Sequence, residues 1–415
     1  MNPERIVNVF LHEKQIGTLT WLAGDQSLFA FEDNYINDPK RATLSLSFKS
    51  SQGGLITDIK PSRTRLPTFF ANLLPEGPLR DYLAKKAGVS EKREFHLLKI
   101  LGPDLPGAIT IQESGFGTLS DIGEAKKQSI KEGGKAAFRF SLAGVQFKFS
   151  AVKEATGGLT IPAEGSGGSW IVKLPSMTFD KVPENEFAMM RLAGEIGISI
   201  PDINLIPISR ITGLPKDIHK IKGSALAVKR FDRMADGSMV HIEDFAQIFR
   251  VYPEKKYEKA NYRNIAEVIW AESGQEDIIE FVRRLVFSTL IGNGDMHLKN
   301  WSLIYPDQRQ AKLAPAYDLL STIPYIEEAN TALNLLRERD MAGLSFERLS
   351  HFAAKARLPE KLVLKTAMET VERFLATWKN GEYLTDLSFV RNTINAHLET
   401  IKLVKEITQT AHSPK

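Results

Sequence analysis

Apolar positions recur at every second residue in the first half of the chain and at every third or fourth in the second. Ile6, Val7, Val9 and Phe10 make one short strand-like run, and Leu44, Leu46 and Phe48 alternate with polar neighbours, which predicts another. The proline-bracketed cluster Phe69, Phe70, Leu73 and Leu74 precedes a helix expected to start near Pro78. Residues 113–137 then lose almost all apolar character. Gly115, Gly117, Lys126, Lys127, Lys131, Gly133, Gly134 and Lys135 mark a mobile connection and a domain boundary. Strands are predicted again over Ala137–Phe140, Phe147–Val152, Trp170–Leu174 and Ala225–Lys229, with a helix after Pro183 carrying Phe187, Met190 and Ile196. Beyond about residue 240 the period becomes helical. Ile278, Val282, Leu285, Val286 and Leu290 outline a long helix that stops at Gly292-Asn293-Gly294. Leu362, Val363, Ala367, Val371 and Phe374 outline a second, and Val390, Ile394, Leu398 and Ile401 a third.

The chain of 415 residues is too long for one small core, so two or three packed subdomains are expected. With no cysteine, disulfides, thiolate nucleophiles and Cys-ligated zinc are excluded. Lys and Arg number 54 against 50 Asp and Glu, an excess too small to argue for a nucleic-acid footprint of the chain's own. The opening MNPERIVNVF leads into an alternating run rather than a secretory apolar region, and no stretch reads as a membrane span; a cytoplasmic location is expected.

Residues 292–322, GNGDMHLKNWSLIYPDQRQAKLAPAYDLLST, carry the most chemistry. Asp295 and Asn300 stand in D-x-x-x-x-N, the spacing of a protein-kinase catalytic loop, where the Asp orients the attacking hydroxyl and the Asn holds magnesium. Trp301–Tyr305, a turn at Pro306-Asp307 and Ala311–Leu313 predict a hairpin that returns Asp318 beside Asn300. Each residue alone has a plainer role: a polar loop for Asp295 and Asn300, a helix N-cap for Asp318, a loop histidine for His297, a solvated charge for Lys299. Their order, together with the hairpin, favours phosphoryl transfer. A kinase also needs a strand lysine and a helix carboxylate. Lys173, within the apolar strand Trp170–Leu174, requires an anionic partner if buried, and Glu186 on the next helix is the natural one. For the phosphate loop two glycine-bearing turns compete, Ser141–Gln146 and Glu164–Ser169, and spacing does not choose between them.

The chain resembles the HipA family, the kinase toxins of bacterial type II toxin–antitoxin pairs. The stretch FFANLLPEGPLR is similar to that family's N-terminal subdomain. SLAGVQFK, WIVKLP, NEF, ALAVKRFDR, EDFAQ, GNGDMHLKN and APAYDLLS match its kinase motifs in the family's order. The resemblance implies an α+β, two-lobed protein-kinase-like fold related to phosphatidylinositol kinases. It divides into an N-terminal subdomain (1–112), a linker (113–137), a β-rich N-lobe (138–232) and a mainly helical C-lobe (233–415). It also implies ATP and Mg2+ as cofactors. Ala143, Gly144, Val145, Gln146, Phe147 and Lys148 would bind nucleotide phosphates, with Lys173 contacting them too and Ser141 an autophosphorylation site. Lys229, Arg230 and Phe231 would form the hinge at adenine. His297, Leu298, Lys299, Asn300, Tyr317 and Asp318 would complete the ATP site, with Asn300 and Asp318 as metal ligands and Asp295 as catalytic residue.

Three features depart from, or qualify, that pattern. Lys229 stands where relatives commonly carry an acid, and KKYEKANYRNIAEVI lacks the paired glycines often found after Lys-Tyr-Glu. Glu243 and Asp244 of EDFAQ are read as braces of the lobe interface, not as chemistry. The implied partners are a HipB-like helix-turn-helix antitoxin, through which DNA would be met indirectly, and a protein substrate such as an aminoacyl-tRNA synthetase. The rival readings are a kinase-fold co-repressor and a small-molecule or lipid kinase.

Overall fold

The computed structural model describes residues 5–114, 148–153, 159–161, 168–176, 178–214, 221–379, 381, 384 and 386–411. The expected strand at 137–140, most of the expected linker, Ser141 and the loop Ala143–Phe147 lie outside them.

Residues 5–114 form an antiparallel sheet in the order β4-β3-β2-β1-β5. Its strands are β1 (Ile6–Leu11), β2 (Lys14–Leu22), β3 (Gln26–Phe31), β4 (Ser62–Arg63) and β5 (Ile109–Glu113). Alternation along β1 sends Val7, Val9 and Leu11 inward. They share a core with residues of α1 (Asp33–Asn37), α2 (Thr68–Ala71), α3 (Gly77–Ala87) and α4 (Glu94–Leu101). Phe29, Phe31, Phe48, Phe69 and Phe70 meet edge to face within it. The strand expected over Leu44–Phe48 does not form. Residues Leu46–Phe48 curl into a 3-10 turn because Ser45 Oγ accepts from the Ser47 amide (3.0 Å), while Glu243 takes both the Leu46 amide (3.0 Å) and the Ser45 hydroxyl. Side chains thus satisfy the groups a ladder would have needed.

A six-stranded sheet follows, ordered β10-β7-β6-β8-β11-β9. It comprises β6 (Lys148–Lys153), β7 (Leu159–Thr160), β8 (Trp170–Lys173), β9 (Ile203–Pro207), β10 (Ile211–Thr212) and β11 (Ser224–Lys229). Between β8 and β9 runs α5 (Val182–Glu195), with Pro183 inside its first turn rather than before it. Phe149, Val172 and Ala225 join the apolar core of the first sheet, so the two layers share one interior. A buried charge network fastens them as well. Arg230 meets Asp104 (2.8 Å) and Asp232 (2.9 Å), Arg233 reaches Asp104 (3.2 Å), and the Gly107 amide donates to Asp232 (2.8 Å). Burial would raise Asp232, but Arg230 and Arg233 outweigh it and hold its pKa at about 2.

The rest is mostly helical: α6 (Phe245–Ile248), α7 (Tyr262–Glu272), α8 (Gln275–Leu290), α9 (Phe346–Ala356), α10 (Glu360–Trp378), α11 (Ser388–Leu398) and α12 (Lys402–Ala411). A small sheet of β12 (His241–Asp244), β13 (Ser302–Tyr305) and β14 (Lys312–Leu313), and the hairpin of β15 (Asn330–Leu335) and β16 (Glu338–Asp340), pack among them. Phe281, Trp301 and Phe352 centre this second core. The helix expected to run through Ile401 stops at Leu398, where the Thr400 hydroxyl caps the His397 carbonyl (2.7 Å). Among the described residues no helix is long and apolar enough to cross a membrane.

Candidate active site

Between the six-stranded sheet and the helical lobe lies a cavity of about 290 Å³. Ile171, Lys173 and Val228 line it from the sheet; Ile242, Ser302 and Leu320 line it from the helical lobe.

Helix α8 runs out into a turn that Gly292 makes possible. Its φ of +65° is left-handed, and a Cβ there would run into the Ile323 side chain. Thr322 then pins the turn, its hydroxyl accepting from the Gly294 amide (2.8 Å) and donating to the Gly292 carbonyl (3.0 Å). Asn293 Oδ1 accepts the Asp295 amide (3.0 Å), and the Asn300 side chain donates Nδ2 to the Asp295 carbonyl (2.7 Å). The D-x-x-x-x-N spacing therefore closes a loop: the Asn amide is the strut that holds the Asp backbone.

The antiparallel ribbon β13–β14 pairs Leu303 with Leu313 and Ile304 with Lys312, returning the chain to its start. Ala314 donates to the Ser302 carbonyl (2.9 Å), and the Tyr317 hydroxyl to that of Lys299 (2.9 Å). Asp318 follows with φ +55°, an uncommon left-handed conformation for a non-glycine residue. No helix starts there, so the N-cap alternative fails. The carboxylate instead meets two lysines from the opposite lobe. Lys173 pairs with both Asp318 and Glu186, and Lys148, its neighbour across the β6–β8 ladder, lies 3.3 Å from Asp318. Burial opposes the charge on Asp318, but Lys148 and Lys173 outweigh it and hold its pKa far below the carboxylate range. Burial also works against Lys173; there Asp318 and Glu186 win, and its pKa rises. For Lys148 burial prevails and the pKa falls.

Asp295 accepts a 2.6 Å hydrogen bond from the Tyr257 hydroxyl at Oδ1. Burial pushes its pKa up, and the Tyr257 bond tempers the rise. His297 Nε2 stands 4.0 Å from the same oxygen, and burial depresses its pKa to about 3, which keeps the ring neutral. The first subdomain reaches this side of the cleft: Glu76 pairs with Lys256 (2.8 Å) and Lys299 (3.5 Å), and the Asn72 carbonyl accepts from Lys299 (2.8 Å). Lys299 also lies 3.4 Å from Asp244, which caps α6.

Against known families, residues 7–112 match the model described as HipA N-terminal domain, and residues 140–378 the HipA-like C-terminal domain. The chain belongs to the HipA family. It is 55% identical over 405 residues, 97% of this chain and 98% of the other, to "Putative kinase Y4dM" of Sinorhizobium fredii. It is 26% identical over 406 residues, 88% of this chain and 87% of the other, to "Serine/threonine-protein kinase toxin HipA" of Shewanella oneidensis. Among solved structures, the HipA, HipB and operator DNA complex of S. oneidensis MR-1 matches with a TM-score of 0.74 at 22% identity, covering 97% of this chain and 99% of that one. That likeness establishes the α+β, two-lobed kinase-like fold.

Within this HipA-family cleft, Lys148, Lys173, Glu186, Asp295, His297, Lys299, Asn300, Tyr317 and Asp318 come together, as do Lys229, Arg230 and Phe231, the expected hinge. Lys229 extends to Asp202 (3.0 Å), and the Phe231 ring lies 6.0 Å from that of Tyr317. The Arg230 side chain is committed to Asp104 and Asp232, and Leu298 is buried in the helical core. Glu243 braces the first subdomain against the helical lobe through Ser45, Leu46 and Tyr305, whereas Asp244 caps α6 and meets Lys299 within the helical lobe. Tyr257, Lys256, Asn72 and Glu76 belong to the site although their spacing carries no catalytic signature. The only hints were the Lys-Tyr-Glu triplet and the FFANLLPEG stretch. For a metal, the Asp318 carboxylate and the Asn300 amide oxygen are hard donors of the kind magnesium takes. Among the described residues no group of three or more His, Asp or Glu forms a metal cage. Such a pair suits an ion that arrives with its own phosphate ligands.

Proposed function

We propose that this HipA-family protein is an ATP- and Mg2+-dependent protein serine/threonine kinase acting as the toxin of a HipBA-like pair. One observation carries the proposal: Asp318, delivered by the ribbon, meets Lys173 and Lys148 of the opposite lobe in the cleft that also holds Asp295 and Asn300. The division follows, with 138–232 as N-lobe and 233–415 as C-lobe.

Magnesium ATP would supply the phosphoryl group and the counter-charge, with Asp318 and Asn300 holding the metal and Lys148 and Lys173 facing the phosphates. Asp295 accepts the hydrogen bond of the incoming hydroxyl and aligns it, and its raised pKa helps it take the proton. Glu186 holds Lys173 in place, and neutral His297 walls the acceptor side without adding charge. Lys229–Phe231 present hinge backbone to adenine. Ala143–Phe147, outside the described residues, complete the phosphate loop, and Ser141 is its autophosphorylation site. The acceptor is a protein of translation such as an aminoacyl-tRNA synthetase, and a HipB-like antitoxin links the kinase to DNA.

The test is labelling from γ-radiolabelled ATP and magnesium in a bacterial lysate. Wild-type protein should label a protein band, Asp295→Ala and Asp318→Ala should not, and mass spectrometry should find phosphate on Ser141. Label confined to lipid or metabolite would overturn the protein-kinase reading.

A further inference from the structure

We propose that Tyr257 is a positioning residue for phosphoryl transfer, its hydroxyl holding one oxygen of Asp295 so that the other is presented to the acceptor. The inference rests on the kinase reading above and extends it to a residue outside the catalytic motif.

Asp295 sits in a turn with one side of its carboxylate packed and 46% of the side chain exposed, and the struts at its amide and carbonyl do not touch the carboxylate. An ionised carboxylate only accepts hydrogen bonds, and the 2.6 Å contact at Oδ1 is therefore a donation from the phenol. That bond leaves Oδ2 for the substrate hydroxyl. A positioning group must itself be fixed, and Tyr257 is fixed from three directions. Its ring stands edge-on to His297 of the catalytic turn, with centroids 4.9 Å apart. Its carbonyl accepts from Arg339 of the hairpin β15–β16 (2.9 Å). Its neighbour Lys256 pairs with Glu76 of the N-terminal subdomain (2.8 Å), and the Lys256 carbonyl accepts the Leu298 amide (3.3 Å). The phenol thus reports to Asp295 the joint placement of three parts of the molecule. A small misplacement of a catalytic group is enough to cost rate.

The experiment measures self-labelling of the full-length protein from γ-labelled ATP and magnesium, as a function of ATP, for wild type, Tyr257→Phe, Tyr257→Ala, Asp295→Asn and the double variant Tyr257→Phe/Asp295→Asn. Loss of one hydrogen bond to a charged group predicts a fall in saturated rate of roughly 10- to 100-fold for both Tyr257 variants. Half-saturating ATP should stay at its wild-type value, only Tyr257→Ala should lower Tm, and Tyr257→Phe should change nothing further once Asp295 is Asn. A Tyr257→Phe protein that labels at the wild-type rate overturns the inference. So does an equal loss in the Asp295→Asn background, a raised ATP requirement, or phosphate found on Tyr257 itself, which would make it the acceptor. Wild-type protein that labels neither itself nor any protein of a bacterial lysate removes the kinase reading and this inference together; active wild type with an unaffected Phe variant removes this inference alone.

Discussion

Replacing Lys173 by Met separates what the cleft's charges do for folding from what they do for chemistry. Lys173 touches Glu186 and Asp318, and all three side chains are largely buried. Without the ammonium, Asp318 keeps Lys148 at 3.3 Å, an attraction of about 5 kcal/mol at an effective dielectric of about 20. Glu186 loses its direct ion-pair partner. Removing one partner of a buried pair costs roughly 3–5 kcal/mol, but Glu186 can escape by taking a proton. Burial already pushes the Glu186 pKa above its ordinary 4.5 while Lys173 opposes the rise, so removing Lys173 lifts it further. Measured from 4.5, protonation at pH 7 costs about 3.4 kcal/mol, which caps the loss. The sign follows from proton binding. In the variant the folded state holds a proton that the unfolded state releases above pH 4.5, so stability falls as pH rises through that range. Urea denaturation should therefore find Lys173→Met less stable than wild type by at most about 3 kcal/mol at pH 7, and by less at pH 5.5. Adding Glu186→Gln should restore most of the stability at both pH values, while phosphate transfer stays abolished. Equal stability of the single variant and wild type at pH 7, or no recovery in the double variant, would refute the reasoning.

Asp295→Asn should lower phosphate transfer by about 10²–10⁴-fold with Tm unchanged, read from initial labelling rates. Glu243 is buried with its pKa raised to about 7, so between about pH 4.5 and 7 the folded state keeps a proton that the unfolded state releases, and stability falls as pH rises. The difference between Glu243→Gln and wild type should shift by about 3 kcal/mol in favour of Gln over that range, measured by urea midpoints at several pH values. Gly292→Ala, which combines a left-handed φ with a clash against Ile323, should lower Tm and the labelling rate together.

What was legible in the sequence was whatever rests on local periodicity or on short order-dependent motifs. The helix ending before Gly292 and the ribbon after Asn300 are local, and both lie where the apolar pattern placed them. The Lys173–Glu186 pair is legible because a lysine in an apolar strand demands a carboxylate. Contacts between distant segments were not legible. Leu44–Phe48 has a strand's alternation, yet Glu243, some two hundred residues on, takes its amide and hydroxyl. The reach of Glu76 and Asn72 to Lys299 depends on how the first subdomain docks, which no single-chain pattern encodes. Tyr257 is half-buried in an irregular segment and makes its one decisive contact across 38 residues, so neither period nor spacing marks it.

Calorimetric titration of ATP, with and without magnesium, asks whether Asp318, Asn300 and the two cleft lysines form a single nucleotide site. Wild-type protein should bind ATP more tightly with magnesium present, and Asp318→Ala should lose that dependence while Asp202→Ala at the surface keeps it. Wild-type protein that binds no nucleotide, or an Asp318→Ala variant with undiminished magnesium dependence, would contradict the account.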